Sequence, residues 1–153
     1  MLETIRPAAL AEAGTLTALA QAGKRHWGYS EAWMEIWRKS LSFTPDYVTA
    51  HLVFCAEDET GQVIGFYALE RDNGQLRLEH LWLVPQRIGC GLGRQLFEHA
   101  ARTAATQGAT ELFIEADPNA EGFYLRMGAQ RIGETVSRLT GTERIVPELR
   151  YAL

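Results

Sequence analysis

The residues of this 153-residue chain best suited to do chemistry gather in two stretches. In "EHLWLVPQRIGCGLGRQL" a carboxylate and an imidazole, Glu79 and His80, precede three closely spaced glycines, Gly89, Gly91 and Gly93. Glu79 is a candidate general base. His80, with an ordinary pKa of about 6.5, is the runner-up. Side chains alternate along a strand, so the two are expected on opposite faces. The glycines lie between an apolar run ending at Pro85 and a helical stripe. A helix starting near Gly91 would offer bare backbone N–H groups and its positive dipole end to an anion as large as a diphosphate. Arg87 and Arg94 could add charge-assisted contacts. The second stretch, "ADPNAEGFYLRMGA", carries Asn119, Phe123 and Tyr124.

Rival readings of the glycines fail on spacing. A P-loop requires a lysine after its last glycine, and none follows here. The dinucleotide fingerprint is G-x-G-x-x-G, whereas Gly89, Gly91 and Gly93 follow G-x-G-x-G. Cys90 has no Asp/His pair at recognisable spacing to make it a nucleophile. With only Cys55 and Cys90 present, neither a zinc site nor a disulfide framework is expected, and no metal.

The elements that must hold these residues read as follows. "LETIR" is a short strand stopped by Pro7. Leu10, Ala13, Leu16, Thr17 and Ala20 then share a helical face. "KRHWGY" connects to a second helix capped by Ser30, on which Trp33 and Trp37 stand at i, i+4 as expected core. "HLVFCAE" and "QVIGFYALE" are strands, and Asn73-Gly74 turns into a third, "QLRLEHLWLV". Leu92, Leu96, Phe97, Ala100 and Ala104 stripe a helix closed by Gly108. "ELFIEA" follows as a strand, then a short helix with Asp117 as N-cap and Pro118 as its first residue. "QRIGE" and "ELRYAL" end the chain as strands, with an irregular stretch around "SRLTGTER".

The two motifs, in this order on this pattern, resemble the GNAT superfamily of N-acetyltransferases. There a strand ending L-x-V-x-P leads into R/Q-x-x-G-x-G/A, and the corresponding stretches here are "LWLVP" and Ile88-Gly89-Cys90-Gly91-Leu92-Gly93. The later N-A-x-x-F-Y-x-x-x-G-F/A is matched by "NAEGFYLRMGA". The resemblance covers nearly the whole chain and implies an α/β (α+β) domain over residues 1–153. Its central sheet would be mixed but mostly antiparallel, with about six to seven strands flanked by about four helices. It implies acetyl-CoA held by the loop from Ile88 to Arg94, with Asn119 and Phe123 beside it. A backbone N–H near Leu83 or Val84 would meet the oxyanion, Tyr124 would protonate the departing thiolate, and Glu79 would serve the amine. Ile88 departs from the usual Arg or Gln.

In this family the first helices line the acceptor side, where Trp27 and Tyr29, off the helical periodicity, are the pocket candidates. The acceptor is then a primary amine of a small molecule or a peptide. Alternatives are a protein N-terminus or lysine, a catalytically silent acyl-CoA sensor, and an interaction module with an aromatic dimer face. A homodimer stays open. The net charge of −4, without a run of five like charges, argues against nucleic acid. No apolar stretch approaches the ~20 residues of a membrane span. Glu3 and Arg6 interrupt any signal-peptide core, so a cytoplasmic location is expected.

Overall fold

Hydrophobic period changes from helical to alternating after residue 50, and there the sheet begins in earnest. The computed structural model describes residues 3–153. Among them seven strands form one sheet in the order β1-β2-β3-β4-β5-β7-β6. These are β1 (Thr4–Pro7), β2 (Leu52–Glu57), β3 (Val63–Asp72), β4 (Gln75–Leu83), β5 (Glu111–Glu115), β6 (Gln130–Leu139) and β7 (Thr142–Ala152). Every pairing is antiparallel except β4 with β5. Helices α1 (Ala13–His26), α2 (Glu31–Trp37) and α3 (Pro45–Ala50) precede β2, while α4 (Leu92–Thr106) and α5 (Glu121–Arg126) flank β5 in sequence.

Two cores sandwich the sheet. On one side Leu76, Leu78 and Leu112 pack with Leu96, Phe97 and Ala100 of α4 and with Tyr124 of α5. The stripe foreseen on α4 is fully buried. On the other side Leu16, Leu19 and Ala20 of α1 pack with Met34, Phe43, Val48 and Phe66.

Several local expectations are corrected. Leu10 is exposed, in a 3-10 turn ahead of α1. Helix α1 runs on to His26, so Lys24 and Arg25 are helical rather than linker. Helix α3 was not foreseen, although Thr44 caps it through the Tyr47 amide and Pro45 opens it. Asp117 does not cap α5. The helix begins at Glu121, and the Asp117 carboxylate accepts the Asn119 amide at 2.8 Å. The stretch around "SRLTGTER" is regular hairpin, turned by Thr140 and Gly141 at φ 50° and 80°. Asn73 and Gly74 turn the β3–β4 hairpin with the same left-handed pair, φ 51° and 79°. Asn accepts that conformation readily, whereas β-branched Thr rarely does, so only the first turn was visible in the sequence.

Candidate active site

Strands β4 and β5 are in register only at Leu76–Leu112 and Arg77–Phe113. Beyond these two pairs β4 continues to Leu83 beside β3 alone, while β5 stays with β7. The Val84 amide bonds to the Ile64 carbonyl of β3 at 2.9 Å. Ladder alternation therefore turns the Leu83 and Leu81 peptide groups away from β3, toward the gap where β5 has left. Leu83 keeps an N–H without a strand partner. The N–H of Val84, the alternative donor expected, is taken up by Ile64.

Glu79 sits where β4 bulges. Ala68 pairs with His80 and Leu69 with Leu78, leaving Glu79 without a partner. A bulge shifts the phase of a strand. Leu76 and Leu78 face the α4 core, but beyond the bulge Leu81 and Leu83 do. His80 consequently falls on the α1–α3 face, its ring 4.8 Å from that of Phe43 and 6.5 Å from that of Phe66. Glu79, alternating with Leu78, is on that face too. The expected opposition of Glu79 and His80 is thus undone by one extra residue.

Their environments differ sharply. His80 Nδ1 accepts the Trp82 indole N–H at 3.1 Å. Burial, aided by the charge of Lys24, lowers its pKa to about 4, leaving a neutral, weakly basic ring. Glu79 lines an open acidic cleft of about 460 Å³ with Glu70, Glu115 and Glu148. Arg77 is shared between Glu79 at 3.7 Å and Glu115 at 3.5 Å. Burial first, then the charge of Glu70, raises the Glu79 pKa despite Arg77.

The glycine loop leads from a 3-10 turn at Pro85–Arg87 to α4, whose N-cap is Gly91 at φ 91° with no side-chain cap. Gly89 is also left-handed, φ 84°, and a Cβ at either position would meet nothing within 4 Å. The first amide bond closing this end of the helix runs from the Gln95 N–H to the Gly91 carbonyl at 3.1 Å. The amides of Leu92, Gly93 and Arg94 therefore have no backbone acceptor among the described residues. Gly93 serves another purpose. A Cβ there would lie 3.1 Å from the Phe123 ring, so its bareness lets α5 pack on α4. Ile88 is exposed at the rim, and the Cys90 thiol donates to the Arg87 carbonyl at 2.8 Å. Arg87 is drawn away to Glu3 at 3.3 Å and Asp58 at 3.9 Å, contrary to its expected role. Arg94 remains exposed.

Tyr124 is packed against Phe97 and Phe123 and is 6% exposed. Burial, with some help from Asp117, raises its pKa, so the phenol stays protonated. Its hydroxyl has no bonding partner among the described residues yet is not sealed from solvent. The ring is part of the core.

Asp117, just beyond β5, anchors a hub that the sequence did not reveal. Its carboxylate accepts from Lys24 Nζ at 2.6 Å, Arg144 Nη2 at 3.0 Å and the Tyr29 hydroxyl at 3.1 Å. Asn119 adds its amide and its Nδ2, and Nδ2 also reaches the Tyr29 oxygen at 3.0 Å. Lys24 Nζ stands 4.1 Å from the Trp37 ring centroid, and Trp37 meets Tyr29 edge to face. Trp33 and Trp37 are half-buried rather than core, and Trp33 donates to Thr140. Trp27 stands outside the hub, partly exposed against His26.

A family model described as an acetyltransferase (GNAT) domain matches residues 16–139. The chain belongs to the GNAT acetyltransferases. A curated relative, the peptidyl-lysine N-acetyltransferase YjaB of Escherichia coli, is 29% identical over 69% of this GNAT chain and 78% of its own. A GCN5-related N-acetyltransferase from Rhodopseudomonas palustris superposes with a TM-score of 0.82 at 21% identity, over 100% of this chain and 97% of its own. PaiA N-acetyltransferase from Thermoplasma acidophilum, solved with coenzyme A, gives 0.76 at 20% identity over 100% of both chains.

As a GNAT acetyltransferase the protein is an acyltransferase that uses acetyl-CoA. The residues present fit that donor: an uncapped helix end, two left-handed glycines with open space above them, and a stretch of β4 whose β5-facing edge has no partner strand. No group of His, Cys, Asp and Glu among the described residues could hold a metal. No helix among them is long and apolar enough to cross a membrane. The sequence reading missed the roles of Lys24, Asp117 and Arg144, and it favoured core over an acceptor-side wall for Trp37, which stands beside Lys24. One signal was available, since Lys24 is one of only two lysines among thirteen arginines.

Proposed function

We propose that this GNAT enzyme acetylates a primary amine by direct attack, with Glu79 as the base. The observation that carries the reading is the seat of Glu79, unpaired on the β4 bulge and beside the gap between β4 and β5. An alkylammonium, with a pKa of about 10, must lose a proton before it can attack. The acidic cleft attracts that ammonium, and the raised pKa of Glu79 brings its basicity closer to neutrality.

Acetyl-CoA supplies the activated thioester. Around it the free amides at Gly91–Arg94 hold the diphosphate, Arg94 adds charge, and Asn119 and Phe123 border the arm. The Leu83 N–H donates to the oxygen that gains charge as the C–N bond forms. Glu79 takes the amine proton, directly or through water. Tyr124 O–H donates to the sulfur as the C–S bond breaks. His80, a weak base engaged by Trp82, serves packing.

The acceptor is an amine of a small molecule or peptide. A lysine side chain on a protein is a second reading, favoured by a cleft that opens on the surface and by the name of the YjaB relative. Thiol release from acetyl-CoA across a panel of amines and lysine peptides, for wild type and Glu79→Gln, tests the proposal. Turnover that survives in Glu79→Gln refutes the base. Binding of CoA without turnover on any amine returns the silent acyl-CoA sensor.

A further inference from the structure

The hub around Asp117 carries more positive charge than it neutralises. Lys24, Asp117 and Arg144 have side chains only 11%, 10% and 12% exposed. Two cations thus share one buried carboxylate, and neither is paired with a second among the described residues. Asp117 has no spare capacity, since Lys24, Arg144, Tyr29 and both Asn119 donors already converge on it. Arg144 is bonded only through Nη2 and Lys24 through a single contact, so guanidinium and ammonium donors remain. Charge buried without compensation is costly, and a lone structural salt bridge would need only one of these cations.

The position of the hub makes this surplus useful. Asp117 leaves the end of β5, and Lys24 lies in the last turn of the helix whose Gly23 packs tightly on Trp82 of β4. The hub therefore ties the β4 side of the gap to the β5 side. It is near enough for Lys24 to act on His80 and for Asp117 to act on Tyr124. Trp37 and Tyr29 supply flat apolar walls beside both cations.

We propose that this hub is the anion-binding end of the acceptor site: the acceptor carries a carboxylate that Arg144 and Lys24 bind, while its amino group reaches toward Glu79. The inference rests on the amine-acetylating reading above. One unit of surplus charge matches a carboxylate, whereas a phosphate dianion would exceed it. The guanidinium fork suits a planar carboxylate. The acceptor class is then an amino acid or a short peptide with both ends free, its stem lying against Trp37 and Tyr29.

The test compares ω-amino acids with n-alkylamines of equal chain length. Calorimetry on the CoA-loaded protein reads binding, and thiol release from acetyl-CoA reads turnover. Wild type should favour the carboxylate-bearing series at least about tenfold in Kd, roughly 1.4 kcal/mol. In Arg144→Gln, and in Lys24→Met as a second variant, the preference should shrink to within about twofold, with folding checked by circular dichroism. Equal or undetectable binding of the two series by wild type, or an undiminished preference in both folded variants, overturns the anion site. A calorimetric preference without acetyl transfer to either series supports the anion site and refutes the amine-acetylating reading instead.

Discussion

Replacing Asp117 by Asn keeps the side-chain shape and removes the one negative charge in the hub. Lys24 and Arg144, both nearly buried, would then face each other without a counter-ion. The new amide would also turn a donor toward groups that now donate to Asp117. Breaking a buried pair by removing one partner costs about 3–5 kcal/mol. In a domain of this size each kcal/mol lowers Tm by about 2–4 °C, so a fall of roughly 6–20 °C is expected. Burial alone would raise the Asp117 pKa, but Lys24, the Asn119 amide and Arg144 outweigh it and the net shift is downward. A carboxylate whose folded pKa lies below its unfolded value of about 3.9 stabilises fully above that value. Its contribution is lost as pH falls through the folded pKa. Differential scanning calorimetry from neutral to strongly acidic pH should therefore show the gap between wild type and Asp117→Asn closing only below about pH 4. Adding Lys24→Met to Asp117→Asn should recover part of the loss, because it removes an orphaned cation. A Tm within 2 °C of wild type, at most about 1 kcal/mol by the same scale, would refute the claim that these charges depend on one another.

Glu79→Gln should lower kcat/KM at least about tenfold on the plateau and abolish the acid-side inflection of the pH–rate profile. In wild type that inflection should lie above the ordinary carboxylate value, because activity needs the deprotonated form and the pKa is raised. Tyr124→Phe keeps the ring packed on Phe97 and should leave Tm and CoA affinity near wild type while kcat falls at least about tenfold, read by single-turnover kinetics. Gly91→Val forces a β-branched residue to φ 91°, at a backbone cost of about 1–2 kcal/mol, and should weaken CoA binding by calorimetry more than it lowers Tm.

Much of the frame was legible because it depends on neighbours in sequence. The α4 stripe, the Ser30 cap and the Asn73-Gly74 turn are local patterns whose physics is complete within a few residues. The glycine loop was legible for the same reason, since left-handed glycines opening an uncapped helix leave backbone N–H groups free within a few residues. Even the motif order through Tyr124 could be read along the chain.

What the fold decided arises from groups far apart in sequence. Alternation predicted opposite faces for Glu79 and His80, but a bulge exists only in the pairing of β4 with β3. Arg87 was a plausible anion ligand until Glu3 and Asp58 came within reach of it. Lys24 and Asp117 are 93 residues apart, and Arg144 is a further 27 from Asp117. Composition shows that charges exist, but electrostatic energy depends on distance and burial. For the hub, both were set only when α1, β5 and β7 converged.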